Sequence, residues 1–164
     1  MPTVTASFVE RVQHRWAGLQ SSVQDRLVGL ALVALSGPVL AIAAWLEPDP
    51  AGVGTHKQLG LGGCTVLTLT GWPCPMCGMT TCFTHMAHLD PIQALIAQPF
   101  GVVLFALTCL IAAVAAVELV APRGRWTRIW GWIAPREGRI AAFLLIGLAL
   151  GWLYKLFQMG HIPL

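Results

Sequence analysis

Charge is what this chain has least of. Lysine and arginine together number 10 and the acids 7, so charged residues make up 10% of the 164, against about 25% in a typical soluble domain. The deficit excludes an ordinary soluble domain. With 56% hydrophobic residues and a mean hydropathy of +0.70, it leaves a polytopic membrane protein with little mass outside the bilayer. No cleavable signal sequence is expected either, because residues 1–26 have no continuous apolar core and the first apolar run has no small-residue cleavage site at a suitable distance. The net charge of +3 gives no footing for nucleic acid, because topology accounts for the arginines and the membrane interface for Trp126 to Trp132.

Three apolar runs meet the roughly 20-residue criterion for a spanning helix: residues 27–46, 99–121 and 140–157. A fourth stretch, 59–72, is apolar but short and carries Gly60, Gly62, Gly63 and Gly71. It reads as re-entrant, interfacial or buried against other helices. Arg11, Arg15 and Arg26 precede the first span, and Arg123, Arg125, Arg128, Arg136 and Arg139 separate the second from the third. The remaining segments hold only Lys57 and Lys155. Positive charge favours the cytoplasm, so the N-terminus is expected inside and the segment 47–98 outside. In residues 1–26, Phe8, Val12, Trp16, Leu19 and Val23 recur every three or four positions opposite Glu10, Gln13, Gln20 and Gln24. The spacing predicts an amphipathic helix on the cytoplasmic membrane surface or against a partner subunit.

Reactive side chains concentrate in one place. Cys64, Cys74, Cys77, Cys82, His85 and His88 fall within 25 residues, including four of the 5 cysteines and two of the 5 histidines. Prolines on both sides of Cys74 exclude a helix interior there, and Gly78 suits the positive φ of a tight knuckle. A helix is expected from about Met79 through His88. Asp90-Pro91 reads as an N-cap with proline at the first helical position, and Pro99 opens the second span. The Cys-x-x-Cys turn puts two sulfurs within reach of one metal or of each other. Cys82, His85 and His88 follow at i,i+3 spacing.

Three chemistries fit. Cys74 and Cys77 with two of Cys64, Cys82, His85 and His88 suit zinc, and Met76, Met79 and Met86 nearby admit a softer ion such as copper(I). Alternatively, Cys74 and Cys77 form a reversible disulfide with Cys64 or Cys82 as relay. In the third, static disulfides staple a loop that has no core of its own. Elsewhere Cys109 reads as a packing residue, and His56 and His161 as solvated. Glu118 reads as an ion-pair partner of the neighbouring arginines, and Gly147-x-x-x-Gly151 as a helix-packing or oligomerisation surface.

The run Cys64-(x9)-Cys74-Pro75-Met76-Cys77-Gly78-Met79-Thr80, followed by His88-Leu89-Asp90 and Gln98-Pro99, resembles a large family of small bacterial membrane proteins known only as a domain of unknown function. Its pattern is a cysteine, nine residues, C-P-x-C-G-x-T-R, a short helix, H-G-D, and N-P opening a hydrophobic span. The resemblance covers roughly residues 60–102. It implies a metal set of Cys64, Cys74, Cys77 and His88, with Cys82 and His85 as alternates outside the family pattern. Thr81 stands where the family has Arg, and Leu89 where it has Gly.

The sequence thus predicts an all-α protein of the bacterial inner membrane. Its segments are a cytoplasmic amphipathic segment (1–26), transmembrane helices at 27–46, 99–121 and 140–157, an outer Cys/His-bearing re-entrant or interfacial loop (47–98), a cytoplasmic Arg/Trp loop (122–139) and an outer tail (158–164). The expected role is non-enzymatic: an accessory or structural subunit whose loop is held by zinc or a disulfide. Its partners would be the bilayer and another protein met through the transmembrane or amphipathic helices. The alternative is a membrane thiol–disulfide oxidoreductase using Cys74 and Cys77.

Overall fold

The structure, a computed structural model, describes residues 4–160, with side chains from Ser22 onward. Among the described residues there are helices and no strand. Helix α1 (Val4–Trp45) is unbroken, so the amphipathic segment and the first span share one axis rather than meeting at a turn. Nothing near residue 26 stops a helix. The only proline inside α1 is Pro38, and near it the Ser36 hydroxyl donates to the Leu32 carbonyl at 2.7 Å. The apolar face expected at Phe8, Val12, Trp16 and Leu19 lies outside the described side chains, as do His161 and the rest of the tail after Gly160.

Between α1 and the second span come a 3₁₀ turn (Thr55–Leu59), α2 (Thr65–Thr70), α3 (Met79–Ala87) and α4 (Pro91–Ala97). Their limits fall where the chain is punctuated. Gly78, at φ +87°, precedes α3. The Asp90 side chain accepts the Gln93 N–H at 3.2 Å and caps α4, with Pro91 at its first turn. Pro99 opens α5 (Pro99–Val120). The 59–72 stretch contributes only the six-residue α2, none of whose residues is buried.

Helix α6 (Arg125–Ile133), a 3₁₀ turn (Ala134–Arg136) and α7 (Glu137–Gln158) complete the chain. Residues 122–139, expected as a loop, are thus mostly helical. Trp126, Ile129, Trp130 and Ile133 recur at i, i+3, i+4, i+7 and give this segment an apolar face. Glu118 supplies the acceptors at its start: Oε1 takes the N–H groups of Arg123 and Gly124, each at 2.7 Å, and of Arg125 at 3.3 Å. Its Oε2 meets Arg125 Nη1 at 2.6 Å.

Three segments, Ser22–Trp45, Pro99–Val120 and Arg125–Gln158, are long and apolar enough to cross a membrane. Only 17% of the most apolar window of each is buried by protein. The rest is largely exposed Leu, Val, Ile and Phe, a surface suited to hydrocarbon rather than water. Helices α1 and α5 form the main pair, and Gly29 lets them close: a Cβ there would stand 3.1 Å from the Ala115 carbonyl oxygen. Helix α7 packs on α5 through Gly147 and Gly151, which receive the Phe100 ring and the Gln98 side chain. The small-xxx-small surface is therefore occupied within the chain.

Candidate metal centre

The knuckle is a tight turn. Cys77 N–H donates to the Cys74 carbonyl at 2.9 Å, and Met79 N–H to that of Met76 at 3.0 Å. This folds the Cys74 N–H back onto Cys77 Sγ at 3.2 Å and sets the two sulfurs 3.3 Å apart. Cys64 comes from the other side, as the residue before α2, where its carbonyl accepts the N–H and the hydroxyl of Thr68, each at 2.9 Å. The Sγ atoms of Cys64, Cys74 and Cys77 all lie within 4.8 Å of one another. Three thiolates around a tetrahedral zinc at 2.3 Å stand about 3.8 Å apart, so the spacing suits one ion.

These sulfurs line a cavity of about 270 Å³, shared with His56, Lys57, Met76 and Thr80. The 3₁₀ turn that carries His56 is pinned beside it. Thr55 and Thr81, both fully buried, share a hydroxyl–hydroxyl hydrogen bond of 2.8 Å, and Asp49 N–H also donates to Thr55 at 3.1 Å. His56, expected to be a solvated interfacial residue, instead borders this cavity, and no local signal in the sequence marks its place there. Thr81 serves as the tie between the 3₁₀ turn and α3.

The three thiols differ electrostatically. The Leu67 N–H beside Cys64 holds its thiol below the ordinary range, although burial acts the other way. Burial, helped by the neighbouring Cys74 side chain, pushes Cys77 up to about 12. Without a metal, Cys64 is thus the more readily ionised of these two. A bound cation would deprotonate the whole set and so release protons.

Beneath the knuckle lies Lys155, only 1% exposed, which the sequence placed among the outward charges. Its ammonium donates to the carbonyls of Gly52 (3.3 Å) and Ala97 (3.1 Å) and to Gln158 Oε1 (2.7 Å). At the end of α4 the last carbonyls lack intrahelical donors, because Gln98 is extended and Pro99 starts a new helix. Tyr154 Oη and Gln158 Nε2 likewise each donate to the Ile96 carbonyl at 3.0 Å. Trp152 Nε1 reaches the Pro73 carbonyl, one residue before Cys74, at 2.8 Å. Gly78 closes over the ammonium: a Cβ there would meet the carbonyl oxygens of Ala97 at 2.8 Å and Gly52 at 3.0 Å, and Lys155 Nζ at 3.2 Å. One signal could have found Lys155, since an ionisable residue on a spanning helix is buried for a reason.

The other residues singled out in the sequence stand apart from the thiols. His88 is exposed at the C-terminus of α3. His85 Nδ1 faces Asp90 Oδ2 at 3.4 Å. Cys82 is fully buried beside Ala94 and Ala97, and burial pushes its thiol up to about 12. Cys109 lies within α5. All five cysteines are free thiols. The structure therefore brings Cys64, Cys74 and Cys77 into one group that could hold a metal ion, and that group includes no histidine.

Residues 64–112, from the first cysteine of the cluster into α5, match the model of a protein family described as a protein of unknown function (DUF2752). No curated protein matches the chain. No solved structure matches it.

Proposed function

We propose that this protein is an accessory subunit of the bacterial cytoplasmic membrane that holds one soft metal ion, zinc in the first instance, on Cys64, Cys74 and Cys77. The convergence of three thiols on one cavity carries the proposal. A structural zinc site is closed by four protein ligands, whereas one with three keeps a position open for exchange. The open position faces the cavity, where His56 supplies the imidazole and where a ligand from a partner protein could bind. The role is non-enzymatic: the metal rigidifies the loop and presents an exchangeable site. The arginine-rich end of the bundle lies in the cytoplasm and the thiol cavity outside, with Leu61, Val66, Leu69 and Trp72 resting in the membrane interface rather than crossing it.

Cobalt(II) loading of the detergent-purified protein tests the ligand set. The wild type should show thiolate-to-metal charge-transfer absorption, and Cys64→Ser, Cys74→Ser and Cys77→Ser should each weaken or abolish it. His88→Ala should leave it unchanged, and His56→Ala should shift only the d–d bands. Loss of the spectrum in His88→Ala with retention in Cys64→Ser would overturn the assignment.

A second function has one observation in its favour, the 3.3 Å approach of the Cys74 and Cys77 sulfurs. A membrane thiol–disulfide oxidoreductase would reduce its Cys74–Cys77 disulfide with a substrate dithiol, which leaves as a disulfide, and would regenerate it by exchange with a second, more oxidising protein disulfide, which leaves as a dithiol. A mixed disulfide with another protein, trapped in Cys77→Ser or Cys74→Ser, would favour it over the metal site.

A further inference from the structure

At the opposite end of the bundle from the thiols, Asp25 of α1 is only 8% exposed. Among the described residues no hydrogen bond or ion pair engages its carboxylate. An unpaired acid at the end of a spanning helix is costly to keep without a function. Asp25 faces two adjoining cavities. One, of about 690 Å³, is apolar and runs between α1 and α6, lined by Leu27, Val28, Leu32, Trp126, Ile129 and Ile133 among others. The other, of about 430 Å³, is polar and is bordered by Arg123, Gly124 and Arg128 at the start of α6. Asp25 lines both.

The nearby cations are not spent on Asp25. Arg125 is committed to Glu118 and the Ala121 carbonyl. The Arg128 guanidinium reaches only the Arg123 carbonyl, at 3.4 Å, and Arg123 is itself exposed beside the polar cavity. Trp126 Nε1, on the apolar cavity, is buried and has no acceptor. The site therefore offers an apolar slot, one buried hydrogen-bond donor beside it, two available guanidinium groups and one buried carboxylate. Its volumes lie within the roughly 300–1,000 Å³ of small-molecule sites.

We infer that this groove binds one phospholipid whose zwitterionic headgroup carries a primary ammonium. An acyl chain fills the slot between α1 and α6. The phosphate meets Arg123 and Arg128, the ammonium meets Asp25, and Trp126 Nε1 donates to an ester carbonyl. Asp25 supplies the selectivity. A lipid with an anionic, amine-free headgroup satisfies the arginines but leaves the buried carboxylate unpaired and repelled, which is discrimination by a penalty on the wrong ligand. This site shares no residue with the thiol cavity and stands or falls independently of the metal.

The test is lipid retention measured by native mass spectrometry, after reconstitution of the full chain in equal mixtures of phosphatidylethanolamine and phosphatidylglycerol and re-extraction in detergent. The wild type should retain one lipid per chain, enriched about tenfold in phosphatidylethanolamine, equivalent to about 1.4 kcal/mol. Asp25→Asn should abolish the enrichment while a lipid is still retained. Arg123→Gln with Arg128→Gln should reduce retention of both lipids. Equal retention of the two lipids by the wild type, preference for phosphatidylglycerol, or no retained lipid would overturn the inference. The wild-type competition is decisive even if a variant fails to fold.

Discussion

At the scale of single residues, the loop is governed by backbone positions that tolerate few substitutions. Gly78 combines a positive φ with contacts that would place any Cβ against two carbonyl oxygens. Its place directly after the Cys-Pro-x-Cys turn made this glycine legible in the sequence. Leu89 is the converse. Among the described residues it is the non-glycine with positive φ, at 61°. A side chain in that region costs about 1–2 kcal/mol, and Leu89 is 89% exposed, so it gains little packing in return. Leu89→Gly should therefore raise stability in detergent by about 0.5–1 kcal/mol after glycine's greater unfolded-state entropy is subtracted. A drop in melting temperature would show that the leucine contributes through contacts of its own. His56 was illegible for a different reason. It sits in no local pattern, and only the tertiary approach of the Thr55–Leu59 turn brings it to the thiol cavity.

At the scale of elements, the sequence was most legible where glycine, proline and a capping acid punctuate the chain. Gly78 before α3, Asp90-Pro91 at α4 and Pro99 at α5 each act through their own backbone chemistry. Helix α6 escaped because its tryptophans and arginines suggest an interfacial loop as readily as a helix. Its decisive support, Glu118, comes from the end of the preceding span. The extension of α1 through residue 26 escaped because an amphipathic pattern and an apolar one can follow each other on one helix without a break. Helix α7 does more than offer an apolar surface. Through Trp152, Tyr154, Lys155 and Gln158 it satisfies carbonyls before Cys74 and at the end of α4. Lys155→Met removes the charge-assisted bonds to Gly52 and Ala97, each such bond being worth about 1.5–3 kcal/mol. It should lower stability by at least the low end of that range and loosen the loop, read as faster proteolysis between α1 and α3. An unchanged melting temperature would show that the ammonium does not clamp the loop.

At the scale of the whole molecule, two chemically distinct ends are separated by three apolar helices. The arginine-rich end is organised by Glu118 and bears the proposed lipid groove, and the other end gathers three thiols around a cavity. Eight arginines lie in the segments assigned to one side and two lysines in those assigned to the other, and the proposed orientation rests on that asymmetry. In intact cells that have been reduced and stripped of metal, a membrane-impermeant maleimide should label the 74–77 region from outside. Labelling that appears only after lysis would reverse the orientation. The cysteine cluster itself was legible as a set of metal-suited residues. Three of its expected members, Cys64, Cys74 and Cys77, come together in the fold, whereas His85 and His88 lie at the end of α3 beside neither Cys64 nor the knuckle.

The most direct test of the proposed metal site is to measure zinc content and free thiols on the same detergent-purified sample, before and after chelation. The metal site predicts about one zinc per chain, with Cys64, Cys74 and Cys77 becoming reactive only once the metal is removed. No metal on the protein as isolated, together with failure of the reduced protein to take up zinc, would contradict it.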